Sequence, residues 1–369
     1  MPWRFPPGKA DPYRVWISEV MLQQTRVETV VPYYRRFVEA WPTLSALAAA
    51  REEEVLAAWS GLGYYARCRH LLAAARQAQA RHGRLPGSLE LLRELPGFGL
   101  YTAGAVASIA FGIVAPAVDG NASRVLSRVF HLSQAGRDSP ARTHLGELAA
   151  ALADCDRPGD LNQSLMELGA TLCRPRGPLC RRCPVGRSCE ARRSGRPAAL
   201  PGPRRRPAQR LLELALARIE RDGRLLLERR PGRGLFGGLW QLPGVEIARG
   251  WGTRALLRGD LGARLGVRCR LGDELAVVER ALTHRRLVLR VFRGEVWGDP
   301  CAPARPELRW QGLAHLDGVA ISTAMRRAIE ASEGWGPAGP AGLAGRGGRP
   351  GDPRRRGRRK ALTSRGPTV

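Results

Sequence analysis

The chain has 369 residues, a formal net charge of +27 and an apolar share of 44%, enough for two domains with a sizeable core and some extensions. No apolar run approaches the ~18 residues that span a membrane, which argues against a transmembrane helix. The basic excess points to a polyanionic partner, although nearly half of it lies in residues 190–207 and 334–369.

Of the 60 Lys and Arg residues, only Lys9 and Lys360 are lysines. A Schiff-base amine would have to be one of these, and neither lies in a plausible site. Cys68, Cys155, Cys269 and Cys301 are scattered and are expected as buried or half-buried thiols. The other four of the eight cysteines cluster, which in a reducing compartment suggests a metal rather than disulfides. Met1-Pro2-Trp3-Arg4 leads into a Pro- and Gly-containing segment with no secretory pattern, so a cytoplasmic, bacterial chain is expected.

After an irregular start, residues 14–38 carry a helical pattern. Glu19 is a lone carboxylate in its apolar run. It is either on a solvated helix face or pressed against apolar walls, where desolvation would keep it protonated as a general acid. Helical segments continue from Thr43 to Trp59. Then Gly61-Leu62-Gly63-Tyr64-Tyr65-Ala66-Arg67 sets two aromatics in a glycine-bearing loop. They either pack beneath the loop or present a wedge to stacked bases.

Leu95-Pro96-Gly97-Phe98-Gly99 separates two helical patterns, with Tyr101-Thr102-Ala103-Gly104-Ala105 opening the second. Gly97 and Gly99 permit a tight turn, and the free N–H groups of the second helix attract an anion. This reads as a helix-hairpin-helix gripping a DNA backbone, or as an ordinary tight turn between packed helices.

Val118-Asp119-Gly120-Asn121 precedes another amphipathic helix. Asp119 is an N-cap by residue type, and a helix N-terminus also stabilises an ionised carboxylate. A protonated Glu19 and an ionised Asp119 would make the paired carboxyls of glycoside cleavage. Cys173, Cys180, Cys183 and Cys189 follow with the spacing C-x6-C-x2-C-x5-C. They suit zinc or a [4Fe–4S] cluster, and spacing alone leans toward zinc.

Residues 190–207 are rich in Arg, Pro and Gly and read as a linker. Strand patterns follow at 211–219, 225–227, 275–278, 287–292 and 295–297, with a closing helix at 323–331. The composition of residues 334–369 suggests disorder and nonspecific DNA affinity.

Taken together, Ser18-Glu19-Val20-Met21-Leu22-Gln23-Gln24-Thr25, the Gly61–Arg67 loop, the hairpin, Val118–Asn121 and the cysteine spacing resemble the adenine DNA glycosylases of the MutY type, within the endonuclease III superfamily. The resemblance spans roughly residues 2–333. It implies a multidomain fold: an all-α helix-hairpin-helix glycosylase core over 1–189, its four-cysteine iron–sulfur loop at 173–189, the linker at 190–207, an α+β Nudix-like domain over 208–333 and the tail at 334–369. It also moves the metal from zinc to [4Fe–4S].

The function implied is hydrolytic removal of adenine opposite 8-oxoguanine or guanine in double-stranded DNA, with a monomer and no membrane role expected. By resemblance, Glu19 protonates adenine N7, and Asp119 stabilises the oxocarbenium-like sugar in a retaining reaction. Tyr101 and Asn121 orient them. Tyr101 stands where bifunctional members carry a lysine, so no Schiff-base lyase step is expected. Gln23 belongs to the same motif. Gln24 and Tyr64 would fill the gap in the duplex, while Thr25 and Leu62 would lie near the 8-oxoguanine. Trp3, Arg4, Val27 and Glu167 would line the adenine pocket, and Gly97 and Gly99 would hold phosphates.

The Nudix resemblance rests on Gly237-Gly238-Leu239-Trp240 and Leu242-Pro243-Gly244. Between Arg249 and Leu265 the one acid is Asp260, too few for the Mg²⁺ site of a working Nudix box, so no nucleotide hydrolysis is expected. Thr283 and His284 correspond to the family's lesion-recognition loop, with Leu282 replacing its aromatic. Relatives also carry a helix ahead of Pro2-Trp3-Arg4, and a start at Met1 would expose apolar surface in the cluster subdomain. Rival readings are an endonuclease III-like glycosylase for oxidised pyrimidines, a Nudix pyrophosphatase and a non-catalytic iron–sulfur DNA-binding protein.

Overall fold

Asp11 starts the first helix: its Oδ1 accepts from the N–H of Tyr13 at 2.9 Å, and Pro12 occupies the first turn. The computed structural model describes residues 1–6, 9–132, 140–202, 209–232, 234–247, 253–282, 285–301 and 306–333. Met1–Glu333 form one unit.

The single helical pattern expected over 14–38 is two helices, α1 (Pro12–Leu22) and α2 (Val27–Ala40). Gln24 breaks it with a left-handed φ of +57°. Next come α3 (Leu44–Ala49), capped by Thr43, then α4 (Glu52–Trp59) and α5 (Tyr65–His82). α6 (Leu89–Arg93) and α7 (Leu100–Phe111) flank the hairpin. α8 (Gly120–Val129), α9 (Pro140–Ala153) and α10 (Pro158–Thr171) lead to the cysteine loop, which holds 3-10 turns at Cys180–Arg182 and Gly186–Ser188.

The helical core buries Trp16, Phe37, Trp59, Leu71 and Leu92, each worth about 1.5–3 kcal/mol of apolar burial. Trp16 of α1 stacks on Phe98 at 5.3 Å, which seats the hairpin turn against the helix carrying Glu19.

The stretch read as a linker opens with α11 (Glu190–Arg193), where Ala191 is fully buried. Leu200 is buried too, and its carbonyl accepts from Arg128 Nε at 2.8 Å. Residues 203–208 lie outside the described residues, as does the tail at 334–369.

The second part holds β1 (Arg210–Arg221), β2 (Arg224–Arg229), β3 (Trp240–Gln241), β4 (Gly244–Ile247), α12 (Thr253–Leu265), β5 (Cys269–Ala281), β6 (Arg285–Val296), β7 (Leu308–Gly312) and α13 (Thr323–Ala331). Asp222 and Gly223, both with positive φ, make the tight β1–β2 turn. The sheet runs β3-β2-β1-β6-β5, with β4 on β1 and β7 on β2. β1 and β6 are parallel, and the other pairs are antiparallel.

α12 packs Leu257, Leu261 and Leu265 with Ala215, Ala217 and Ile219. α13 packs Met325, Ala328 and Ile329 with Leu214, Leu216 and Leu289. With both faces of β1 covered, its sequence reads as a near-continuous apolar run rather than an alternation. Leu239 and Ala320 of this part lie in the core of the helical part, joining the two.

Candidate active site

Three helices bring the expected chemical groups together. Glu19 lies on α1, Tyr101 on the first turn of α7, and Asp119 caps α8. Glu19 is 5% exposed, so the solvated-face reading does not hold. The Tyr101 hydroxyl donates to Glu19 Oε2 at 2.5 Å and lies 3.1 Å from Met166 Sδ. Burial pushes the Glu19 carboxyl above the usual carboxylate range, and nearby Asp119 adds to the rise. The Tyr101 hydrogen bond and the Arg4 charge oppose it. The Tyr101 phenol is raised well above its ordinary value by burial and by Glu19.

Asp119 both caps and remains within electrostatic reach of Glu19. Its Oδ1 accepts from the N–H groups of Asn121 at 2.9 Å and Ala122 at 2.7 Å, and its Oδ2 accepts from Asn121 Nδ2 at 3.0 Å. Burial raises its pKa, while these donors and Arg124 pull it down. Arg124 then donates to Asn121 Oδ1, to the Gly169 carbonyl and to the Cys173 carbonyl, each at 2.8 Å. This chain of contacts runs from Asp119 to the cysteine loop.

At the hairpin, Gly97 has a φ of +80°, and a Cβ there would meet His70 Cβ at 2.8 Å. Gly99 caps α7 without a side-chain acceptor, and Gly97, Gly99 and Leu100 are exposed. The first N–H groups of α7 thus open to solvent where an anion can approach.

Gln24 and Tyr64 are both exposed, and both hold left-handed φ values, +57° and +48°. Such strain in non-glycine residues concentrates at functional sites. Tyr64 is 45% exposed, whereas Tyr65 is buried, so one aromatic of the pair is offered outward.

The turns bearing Gln24 and Tyr64 meet at Arg67. Its Nη1 donates to the carbonyls of Val20 at 2.7 Å, Met21 at 3.1 Å and Gln23. Its Nη2 donates to Thr25 Oγ1 at 3.2 Å and to the Leu62 carbonyl at 3.4 Å. The guanidinium also lies over the rings of Trp59 and Tyr64. Burial lowers its pKa to about 10.

Several expected ligand contacts take a different form. Trp3 is buried in the helical core, edge-on against Tyr34 at 5.2 Å. Leu62 is also buried in the core, its N–H donating to the Trp59 carbonyl and its own carbonyl accepting from Arg67. Gln23 spends its amide on Thr102 Oγ1 at 3.0 Å. Val27 is half-buried, and Arg4 faces exposed Glu167 at 3.7 Å. Thr283 and His284 lie outside the described residues. Cys155, expected buried or half-buried, is exposed because it follows the end of α9.

Cys173, Cys180, Cys183 and Cys189 are half-buried free thiols. Burial raises the Cys183 thiol, and Cys173, Cys189 and Cys180 add to the rise. Arg128 is fully buried; its Nη1 donates to Cys173 Sγ at 3.3 Å, and its carbonyl accepts from Cys189 Sγ at 3.5 Å. Among the described residues no three His, Cys, Asp or Glu side chains are placed to hold a metal ion. Four thiols are the donor chemistry that both zinc and iron–sulfur clusters use.

In the sheet part, Glu228 and Asp260 converge on Arg264, which also donates to the Gly244 carbonyl at 3.0 Å. An internal guanidinium thereby balances both carboxylates.

Residues 17–150 match the model of the HhH-GPD superfamily of base excision DNA repair proteins, and residues 214–331 match the NUDIX domain. The chain is 38% identical over 370 residues to the adenine DNA glycosylase of Rattus norvegicus, covering 87% of this chain and 72% of that one. It is 37% identical over 376 residues to the human counterpart, covering 88% and 69%. A solved thermostable thymine-DNA glycosylase is 30% identical with a TM-score of 0.46, covering 53% of this chain and 88% of that one.

Proposed function

Because the chain belongs to the adenine DNA glycosylases, base-excision-repair enzymes that remove adenine, we propose that its substrate is adenine mispaired with 8-oxoguanine or guanine in double-stranded DNA. The target adenine leaves the stack, since its glycosidic bond is out of reach inside the duplex. Glu19, kept protonated by burial, gives its proton to adenine N7 as the C1′–N9 bond breaks. Asp119 stabilises the positive charge on the sugar, and water supplies the oxygen that completes the abasic site. Tyr101 and Asn121 hold the two carboxyls in place. The observation that carries this reading is the buried Glu19 carboxyl held by Tyr101 within electrostatic reach of Asp119.

Gln24 and Tyr64 are read as the residues that fill the vacated space, and the α7 N-terminus as the phosphate grip. Recognition of 8-oxoguanine by Thr283 and His284 rests on the resemblance of that loop alone. Cys173, Cys180, Cys183 and Cys189 would hold a [4Fe–4S] cluster. Bound there, it would fix the shape of the arginine-rich loop and supply one-electron redox capacity. Tyr101 has no amine, and Lys9 is the one lysine among the described residues, which supports release of an intact abasic strand.

The test is incubation of the full chain with duplexes holding adenine opposite 8-oxoguanine, adenine opposite guanine, or thymine glycol. Adenine-strand breaks that appear only after alkali are expected. Thymine glycol cleavage without alkali would favour the endonuclease III-like alternative.

A further inference from the structure

The turn that carries Tyr64 is held from behind by the Nudix-like domain. Ser60 Oγ donates to the Ile321 carbonyl at 2.6 Å, and Tyr65 Oη approaches the same oxygen at 3.5 Å. Ser60 and Tyr65 bracket the Gly61–Tyr64 turn on its two sides. The turn itself is tightly drawn. Tyr33 Oη donates to the Ser60 carbonyl at 2.9 Å, and a Cβ on Gly61, whose φ is +109°, would lie 2.0 Å from that hydroxyl. The Gly61 N–H points to Tyr65 Oη at 3.4 Å.

Ile321 is a firm anchor. The Trp240 N–H donates to the Ala320 carbonyl at 2.8 Å, and Trp240 and Ile321 form a parallel bridge. Trp240 Nε1 in turn donates to Glu53 Oε1 of α4 at 3.0 Å. Arg309 stacks on the Trp240 ring at 4.0 Å and donates to the same oxygen at 2.7 Å. Arg69 of α5 donates to the Gly237 carbonyl. The domain is thus pinned to α4 and α5, the helices on either side of the turn.

We infer that the Nudix-like domain braces the Tyr64 wedge: the Ile321 carbonyl, acting through Ser60 and Tyr65, holds Tyr64 in its left-handed conformation and sets how readily it enters the duplex. Ser60 and Tyr65 act through Tyr64 and are positioning residues. The inference rests on the reading of Tyr64 as a duplex wedge. It assigns the domain a mechanical part in extruding adenine, beyond recognition of the opposite base.

The test compares the full wild-type chain with Ser60→Ala, Ser60→Thr and Tyr65→Phe on a duplex with adenine opposite 8-oxoguanine. 2-Aminopurine beside the target adenine reports unstacking, and single-turnover base release is followed in parallel. Ser60→Ala and Tyr65→Phe should each lower the fluorescence rise and the release rate, by about three- to tenfold for the loss of one neutral hydrogen bond. Ser60→Thr, which keeps the hydroxyl, should restore both. Thermal unfolding identifies any variant that fails to fold, and Tyr65→Phe removes a single oxygen should Ser60→Ala do so. Unstacking that is unchanged in the folded variants overturns the brace, as does a wild type that binds without unstacking. A wild type that unstacks the duplex but releases no adenine would count against the proposed substrate, while the fluorescence comparison still decides the brace.

Discussion

Tyr101 and Glu19, 82 residues apart in sequence, share a 2.5 Å hydrogen bond between α7 and α1. The phenol donates to the carboxylate and so favours the charged form of Glu19, against the burial that favours the neutral one. Tyr101→Phe removes a lowering influence. The alkaline limb of the base-release profile should therefore move to higher pH, while the plateau falls about tenfold from the lost hydrogen bond to a charged group. An alkaline limb that stays put or moves down would contradict this assignment.

Burial of Glu19 also sets a stability cost with a definite sign. The unfolded carboxyl titrates near 4.5, and the folded one titrates higher. Below the unfolded value both states are protonated and the cost is absent. It grows as pH rises and is complete above the folded value. Glu19→Gln should therefore melt at a higher temperature than wild type at neutral pH, with the difference shrinking toward pH 4. Thermal unfolding across that range checks it, and a Gln variant less stable at neutral pH would contradict it.

Arg67 ties together the turns that bear Gln24 and Tyr64. Arg67→Ala leaves several buried carbonyls without a donor and should cost about 3 kcal/mol or more, at 1–3 kcal/mol for each unsatisfied group. Denaturant unfolding measures the loss. A cost below ~1 kcal/mol would show that the two turns hold their shapes without it.

Much of the site was legible because its chemistry forces unusual residues into apolar sequence. Glu19 within Val15–Leu22 and the four clustered cysteines stand out by type alone. The two readings of Asp119 were both present in the fold, since its capping bonds and its proximity to Glu19 coexist. The break at Gln24 was not legible, because residues 14–38 keep helical apolar spacing across it and the tie to Arg67 comes from more than 40 residues away. Trp3 and Leu62 reach the core through tertiary packing that no local pattern reports. α12 carried a signal in Leu257, Leu261 and Leu265 at four-residue spacing, but its two internal glycines weaken a helical reading. The contact between Ser60 and Ile321, across 261 residues, has no trace in the sequence at all.

The central claim is that the buried carboxyl of Glu19 delivers the proton that releases adenine. The most direct measurement is single-turnover release from an adenine:8-oxoguanine duplex by wild type and Glu19→Gln, with duplex binding measured on both. The account predicts near-complete loss of release with binding retained, because Gln keeps the shape and the hydrogen-bond acceptor for Tyr101 but has no proton to give. A Glu19→Gln variant that releases adenine near the wild-type rate would contradict it.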